Sequence, residues 1–220
     1  MYDPFVQREE RLLIKKGNSN FQIRIWSLYS RLSPFLLFHI NDAIMSLLNE
    51  RDGLMLGICN GFQALVKLGL IPFGEIRDLE ETSPTLTFNR IGRHVSRLGL
   101  VQTRIVSVLS PWFIHHEPGD IHIIPASHGE GRFIASDELI KQLMEKGQVA
   151  AQYVDIEGSL TMDVNFNPNG SMNAIEGVTS PDGRIYGKMG HTERISSNTA
   201  INIPGDKNQK LFQSGVDYFG

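Results

Sequence analysis

One cysteine in 220 residues constrains this chain more than any other feature. Cys59 stands in Gly57-Ile58-Cys59-Asn60-Gly61-Phe62-Gln63, directly after the apolar run Leu54-Met55-Leu56. The run before it reads as a strand. Ala64 to Leu70 after it reads as a helix, with Gly69 and Pro72 as stop signals. A thiol therefore sits at a strand-to-helix corner with glycine two residues away on either side. That is the pattern of a nucleophile elbow, where a tight turn leaves no room for neighbouring Cβ atoms. The helix that starts there aims backbone N–H groups and a partial positive charge at the sulfur, which favours thiolate. The competing reading is a buried cysteine acting as a small hydrophobe.

A thiol nucleophile needs a base, and the base needs a group to orient it. Gly190-His191-Thr192-Glu193-Arg194 supplies both types of residue. Residues two apart in an extended segment point the same way, so Glu193 can polarise His191. The imidazole has the intrinsic pKa of a proton shuttle near neutrality. Taken alone, H-x-E describes a solvated loop equally well. Its place directly after the strand-like Arg184–Met189 favours a site, because sites assemble at strand ends of α/β sheets.

Two further segments complete a signature: His128-Gly129-Glu130-Gly131-Arg132-Phe133 and Asn167-Pro168-Asn169-Gly170-Ser171. Together with the elbow and the His191 segment they resemble the glutaminase domain of phosphoribosylformylglycinamidine synthase, a triad-type (class I) glutamine amidotransferase. The resemblance covers about Ile40 to Gly220. It implies an α/β fold with a central, mostly parallel, flavodoxin-like sheet between helical layers and an added antiparallel hairpin. It implies hydrolysis of L-glutamine through Cys59, His191 and Glu193, with ammonia passed to a synthetase domain or subunit for purine biosynthesis in the cytoplasm. ATP and Mg²⁺ belong to that partner, so no cofactor is expected on this chain. The Asn60 N–H is the implied oxyanion donor. Gly61, Gln63, Ser127, His128, Glu130 and Arg132 are candidates around the substrate, Gln63 for the α-amino or carboxylate end of glutamine. Asn89 and Arg97 are read as packing or interface residues.

The resemblance does not reach Met1–His39. Family members open with a buried strand and a Gly-Gly-Phe-Ser-type loop that lends a second oxyanion N–H, and nothing like it stands there. Phe21 to Trp26 alternates like a strand, while Leu32–Phe38 is apolar but too short to span a membrane. The expected organisation is an atypical head, 1–39, and an amidotransferase domain, 40–220. With one oxyanion donor missing, weak turnover is expected of the isolated chain. Two other readings stay open: an impaired fragment of such a domain, and a different cysteine hydrolase or redox protein with the same elbow.

Bulk properties point to an ordinary soluble intracellular enzyme. The net charge of −3 gives no case for nucleic-acid binding. One cysteine cannot build an internal disulfide. No signal peptide, repeat or low-complexity tract is visible. His115, His116, Glu117, His122 and His128 match no zinc spacing, so no metal is expected.

Overall fold

The computed structural model describes residues 12–16, 19–23, 34–97 and 101–220, with side chains over 40–97 and 101–220. The chain runs β1 (Leu12–Lys16), β2 (Ser19–Ile23), α1 (Pro34–Asn49), β3 (Leu54–Ile58), α2 (Asn60–Lys67), the short α3 (Leu70–Phe73), β4 (Thr85–Phe88), β5 (Val95–Arg97) and β6 (Gln102–Ile105). It continues with β7 (Ile121–Ile123), β8 (Ala126–His128), β9 (Glu130–Ile134), α4 (Asp137–Glu145), β10 (Val149–Val154), β11 (Ile175–Thr179), β12 (Ile185–Lys188) and α5 (Leu211–Asp217).

Eight strands form one sheet in the order β2-β1-β3-β12-β11-β10-β6-β7. The expected α/β class holds, but the balance of strand directions differs from the expectation. Among the described residues only the β3–β12 pairing of this sheet is parallel. The reason is in the connections: a parallel pair needs a crossover, whereas short links make hairpins. Ser180-Pro181-Asp182-Gly183 joins β11 to β12 as a tight turn. Its Asp182 carboxylate accepts hydrogen bonds from Ser180 Oγ (2.6 Å) and the Arg184 N–H (3.1 Å), and Gly183 takes a positive φ of 76°. Two side ladders, β4–β9 and β5–β8, stand apart from the main sheet.

Alternation along β3 divides the core. Met55 joins one apolar cluster with Ile44, Leu47 and Leu48 of α1, Phe62 and Leu65 of α2, Ile140 and Leu143 of α4, and Ile175, Val178 and Ile185 of the hairpin. Leu54 and Leu56 face the other cluster, with Trp112, Phe113, Tyr186 and Leu211. Period-two side chains on a sheet buried on both faces give this three-layer arrangement. Ser136 caps α4, its Oγ accepting from the Leu139 N–H at 3.2 Å.

The head departs from expectation in two respects. The segment that pairs with the outer edge of β3 is β1, with Leu13 opposite Leu56, and β2 pairs outside it. Of the strand read over Phe21–Trp26, Phe21–Ile23 lies in β2, and 24–26 lie outside the described residues. The apolar 34–38 is not a separate piece. It is the first part of α1, which passes through residue 40 unbroken.

Candidate active site

β3 delivers Cys59 to the N-terminus of α2, and the corner is strained. Cys59 has φ 56° and ψ −107°, a conformation that costs a side chain with a Cβ on the order of 1–3 kcal/mol. Its N–H donates to the Lys188 carbonyl at 2.8 Å, extending the β3–β12 pairing by one bond. The glycine requirement read from the sequence is visible at Gly57. A Cβ there would fall 2.5 Å from Leu65 Cδ1 and 2.7 Å from the carbonyl carbon of Gly61. Leu65 can move; the Gly61 backbone cannot without opening the elbow. Gly57→Ala is therefore expected to cost about 2–3 kcal/mol, or roughly 5–10 °C of Tm in a chain of this size. Thermal unfolding checks this, and an unchanged Tm would show that the elbow has slack.

The sequence separates Cys59 from His191 by more than a hundred residues, and the fold brings both to one atom. The Ser127 carbonyl, on β8, lies 3.9 Å from Cys59 Sγ and 3.4 Å from His191 Nε2. His191 Nδ1 is 2.6 Å from Glu193 Oε1; the contact is made by a 3-10 turn over Thr192–Arg194, not by the extended segment read from the sequence, because the tighter turn folds Glu193 back onto the imidazole. His191 is 6% exposed, and its main-chain N–H donates to the Pro125 carbonyl at 2.8 Å. Burial opposes ionisation of Glu193, but the hydrogen bond from His191 and the charges of His191 and Arg194 carry its pKa below the ordinary carboxylate value. An ionised Glu193 beside Nδ1 fixes the tautomer and stabilises an imidazolium.

The segment from Ser127 to Arg132, the end of β8 turning at Gly129 into β9 and called the loop below, meets this pair at the Ser127 carbonyl. Gln63, on α2, donates from Nε2 to the Glu130 carbonyl at 2.6 Å, so its amide ties the elbow helix to the loop. Asn89 is the centre of the loop's support: its Nδ2 donates to the His128 carbonyl at 2.8 Å, and its Oδ1 accepts from the Gly131 N–H at 3.2 Å. The reading of Asn89 as a packing residue thus gains a specific task. Arg97 donates to the Asn165 carbonyl at 2.8 Å. Asn60 and Gly61 occupy the first positions of α2. The Glu130 side chain is exposed, and Arg132 Nε donates to the Gly170 carbonyl at 3.3 Å.

Asn167, Asn169 and Ser171, noted in the sequence only as a signature, form a buried bracket beneath the loop. Ser171 Oγ accepts from the Phe133 N–H at 3.0 Å and donates to Asn169 Oδ1 at 2.8 Å, while Asn169 Nδ2 donates to Tyr153 Oη at 3.0 Å. Asn167 Oδ1 also accepts from the Gly170 and Ser171 N–H groups, both at 3.1 Å, the local backbone bonding to which short polar side chains beside proline and glycine are suited.

His128 is 3% exposed, with Nδ1 3.2 Å from Asn89 Oδ1. Desolvation, then the nearby His191 and His94, lower its pKa from 6.5 to about 4. The native state therefore holds it neutral at pH 7, while the unfolded chain takes up a proton below about 6.5. Its contribution to stability is complete above that pH and is lost as the pH falls toward 4, by about 3 kcal/mol in all. Urea titrations of wild type and His128→Asn at pH 7 and pH 4.5 test this. The wild type should lose more stability than the variant on acidification, and parallel losses would contradict it.

The remaining histidines are dispersed. His115 Nε2 pairs with Asp217 Oδ2 at 2.6 Å, and His116 stands edge-on to His122 at 5.3 Å between centroids. Among the described residues no group of three or more His, Cys, Asp or Glu side chains is placed to hold a metal ion. No helix among them is long and apolar enough to cross a membrane.

Comparison with known proteins identifies the family. Residues 30–219 match the CobB/CobQ-like glutamine amidotransferase domain. The phosphoribosylformylglycinamidine synthase subunit PurQ of Gloeobacter violaceus is 35% identical over 169 residues, covering 76% of this chain and 64% of that protein. The subunit of the same name from Chlorobaculum tepidum is 35% identical over 160 residues, 73% of this chain and 61% of that protein. The chain thus spans somewhat less than two thirds of the length of these relatives. The solved structure of PurLQS from Thermotoga maritima contains a similar fold, with TM-score 0.59 and 29% identity over 82% of this chain and 68% of that one. With a match over nearly its whole described length, the chain belongs to the CobB/CobQ-like glutamine amidotransferase domain family.

Proposed function

We propose that this chain is the glutaminase part of a phosphoribosylformylglycinamidine synthase, acting in the cytoplasm in purine biosynthesis. The observation that carries the reading is the meeting of Cys59 Sγ and His191 Nε2 at the Ser127 carbonyl, with Glu193 behind the imidazole. The names of the PurQ relatives and of the PurLQS structure support the choice of synthase. So does the signature of four motifs.

In this reading the Cys59 thiolate attacks the carboxamide carbon of L-glutamine, and His191, as imidazolium, gives its proton to the departing ammonia. A γ-glutamyl thioester remains on Cys59. His191 then takes a proton from water, which attacks the thioester and releases glutamate. Glu193 holds the imidazole throughout. The Asn60 N–H, at the start of α2, receives the developing oxyanion. Ser127, His128 and the loop to Arg132, with Gln63 and Gly61, border the substrate, Gln63 by holding the loop in place. The ammonia passes to a synthetase partner that binds ATP and Mg²⁺. Residues 1–39 form an atypical head and 40–220 the amidotransferase domain, a division made by sequence resemblance that falls inside α1.

Release of glutamate from L-glutamine, together with a mass increase confined to Cys59 after treatment with 6-diazo-5-oxo-L-norleucine, is the test. A thiol that consumes peroxide but ignores both glutamine and the diazoketone would instead mark a redox protein.

A further inference from the structure

Behind the histidine turn lies a buried charged pair with no part in the steps above. Lys188 ends β12 and Glu176 lies in β11; both are 0% exposed, with Nζ 3.7 Å from Oε1. Burial draws the Lys188 pKa below the ordinary lysine value, and the Glu176 carboxylate works against that. Taking two charges out of water costs several kcal/mol per ion, recovered only when hydrogen bonding is complete. Here it is incomplete, because Glu176 Oε2 is buried without a hydrogen-bond partner among the described residues. Such a pair is a poor device for stability, and its best-attested use is to fix a geometry.

The contacts identify that geometry. Lys188 Nζ donates to Thr192 Oγ1 at 2.8 Å and to Gln209 Oε1. Thr192 Oγ1 donates to the same Gln209 oxygen. Glu176 Oε1 accepts from the Gly190 N–H at 2.8 Å. Gly190 and Thr192 are the two neighbours of His191, so the pair grips the base's turn from both sides. The turn is also tightly packed: a Cβ on Gly190 would lie 2.5 Å from Ile124 Cγ2 and 2.9 Å from Glu176 Oε1. At the other end of the same lysine, the main-chain carbonyl accepts the Cys59 N–H at 2.8 Å. One residue thus holds the nucleophile through its backbone and the base's turn through its side chain.

We propose that Lys188, backed by Glu176 and acting through Thr192, is a positioning residue that sets His191 against Cys59 and thereby controls the rate of thioester formation. Its side chain reaches the base's turn through Thr192 and Gln209. This rests on the roles proposed above for Cys59 and His191. Its signature is a loss in kcat without a loss of fold or of glutamine binding, since displacement of a catalytic group by about 1 Å can cost around 10²-fold in rate.

The test uses the full chain in four forms: wild type, Thr192→Val, Thr192→Ser, and the double variant Lys188→Met with Glu176→Gln, each assayed for glutamate release and for Tm. Cys59→Ala runs beside them. Thr192→Val keeps volume and removes only the hydroxyl. It should lower kcat by about tenfold with KM within about threefold of wild type, and Thr192→Ser should regain most of that loss. The double variant removes both charges together. It should melt no lower than wild type and lose roughly 10–100-fold in kcat. A double variant of full activity, a loss confined to KM, or a Thr192→Ser no better than Thr192→Val overturns the proposal. If the double variant does not fold, the two Thr192 forms decide alone. A wild type that releases no more glutamate than Cys59→Ala overturns the functional reading itself, and the positioning role with it; that outcome shows in different samples from the others.

Discussion

Cys59→Ala is expected to abolish release of glutamate from glutamine and to leave Tm unchanged, whereas Cys59→Gly is expected to abolish it and to raise Tm. The first half follows from the chemistry. Without the thiol there is no thioester, and removal of a triad nucleophile typically costs about five to six decades in rate. The second half follows from the backbone. Cys59 sits at φ 56° and ψ −107°, where alanine is as strained as cysteine and glycine is not. Relief of roughly 1–2 kcal/mol corresponds to about 2–8 °C in Tm for a chain of this length. A position where the stabler residue is the inactive one is a position held for its chemistry. Steady-state glutamate release and thermal unfolding of the three proteins check both halves. More than about a tenth of wild-type activity in Cys59→Ala would mean that another group is the nucleophile. A Cys59→Gly that melts lower would mean that the sulfur's packing outweighs the strain.

The local part of this arrangement is legible in the chain, and the non-local part is not. Gly57 and Gly61 around Cys59 announce the elbow because close backbone approach has few solutions. The closeness of His191 and Glu193 in sequence announces their contact, although a 3-10 turn over Thr192–Arg194 makes it and not the extended segment that the spacing suggests. That Ser127 presents its carbonyl to both Cys59 and His191 depends on the placement of β8 beside β5, which no periodicity encodes. The same holds for strand direction. Alternating strands and helices suggest parallel pairing, yet the hairpin β11–β12 and the antiparallel pairs at both ends of the sheet dominate.

Asn167, Asn169 and Ser171 illustrate a different gap. They are recognisable as a signature and silent about their task, because a polar loop and a buried polar bracket have the same composition. Their hydrogen bonds to β9 and to Tyr153 assign the task. For Lys188 and Glu176 a signal does exist. A lysine and a glutamate inside an otherwise apolar hairpin break the pattern of a buried strand, and buried charges need partners. Reading them requires knowing that both strands are covered on both faces, which the three-layer packing supplies.

The order of damage among the triad partners is the remaining large effect. His191→Asn should lower the rate of glutamine hydrolysis by about four decades, and Glu193→Gln by about one to three. The asymmetry comes from what each does. In the proposed mechanism His191 moves protons in both steps: it must protonate the leaving ammonia and must then activate water. Asparagine can do neither. Glu193 moves none. It sits 2.6 Å from Nδ1, orients the ring and, held ionised by its lowered pKa, stabilises the imidazolium. The Glu193→Gln side chain keeps a hydrogen-bonding group there but loses the charge, so the imidazolium forms at greater cost while the ring stays partly oriented. A thiol softens the loss further, since it is more acidic than a hydroxyl and depends less on its base for the attack itself. Single-turnover acylation and steady-state hydrolysis separate these contributions: Glu193→Gln should slow both steps by similar factors, and His191→Asn should slow hydrolysis at least as much as acylation. His128→Asn and His116→Asn should fall well short of either, because both histidines are held neutral by burial and neither is given a proton to move. Greater damage from Glu193→Gln than from His191→Asn would reverse the assignment of base and orienting group, and with it the reading of the Ser127 carbonyl as the place where nucleophile and base meet.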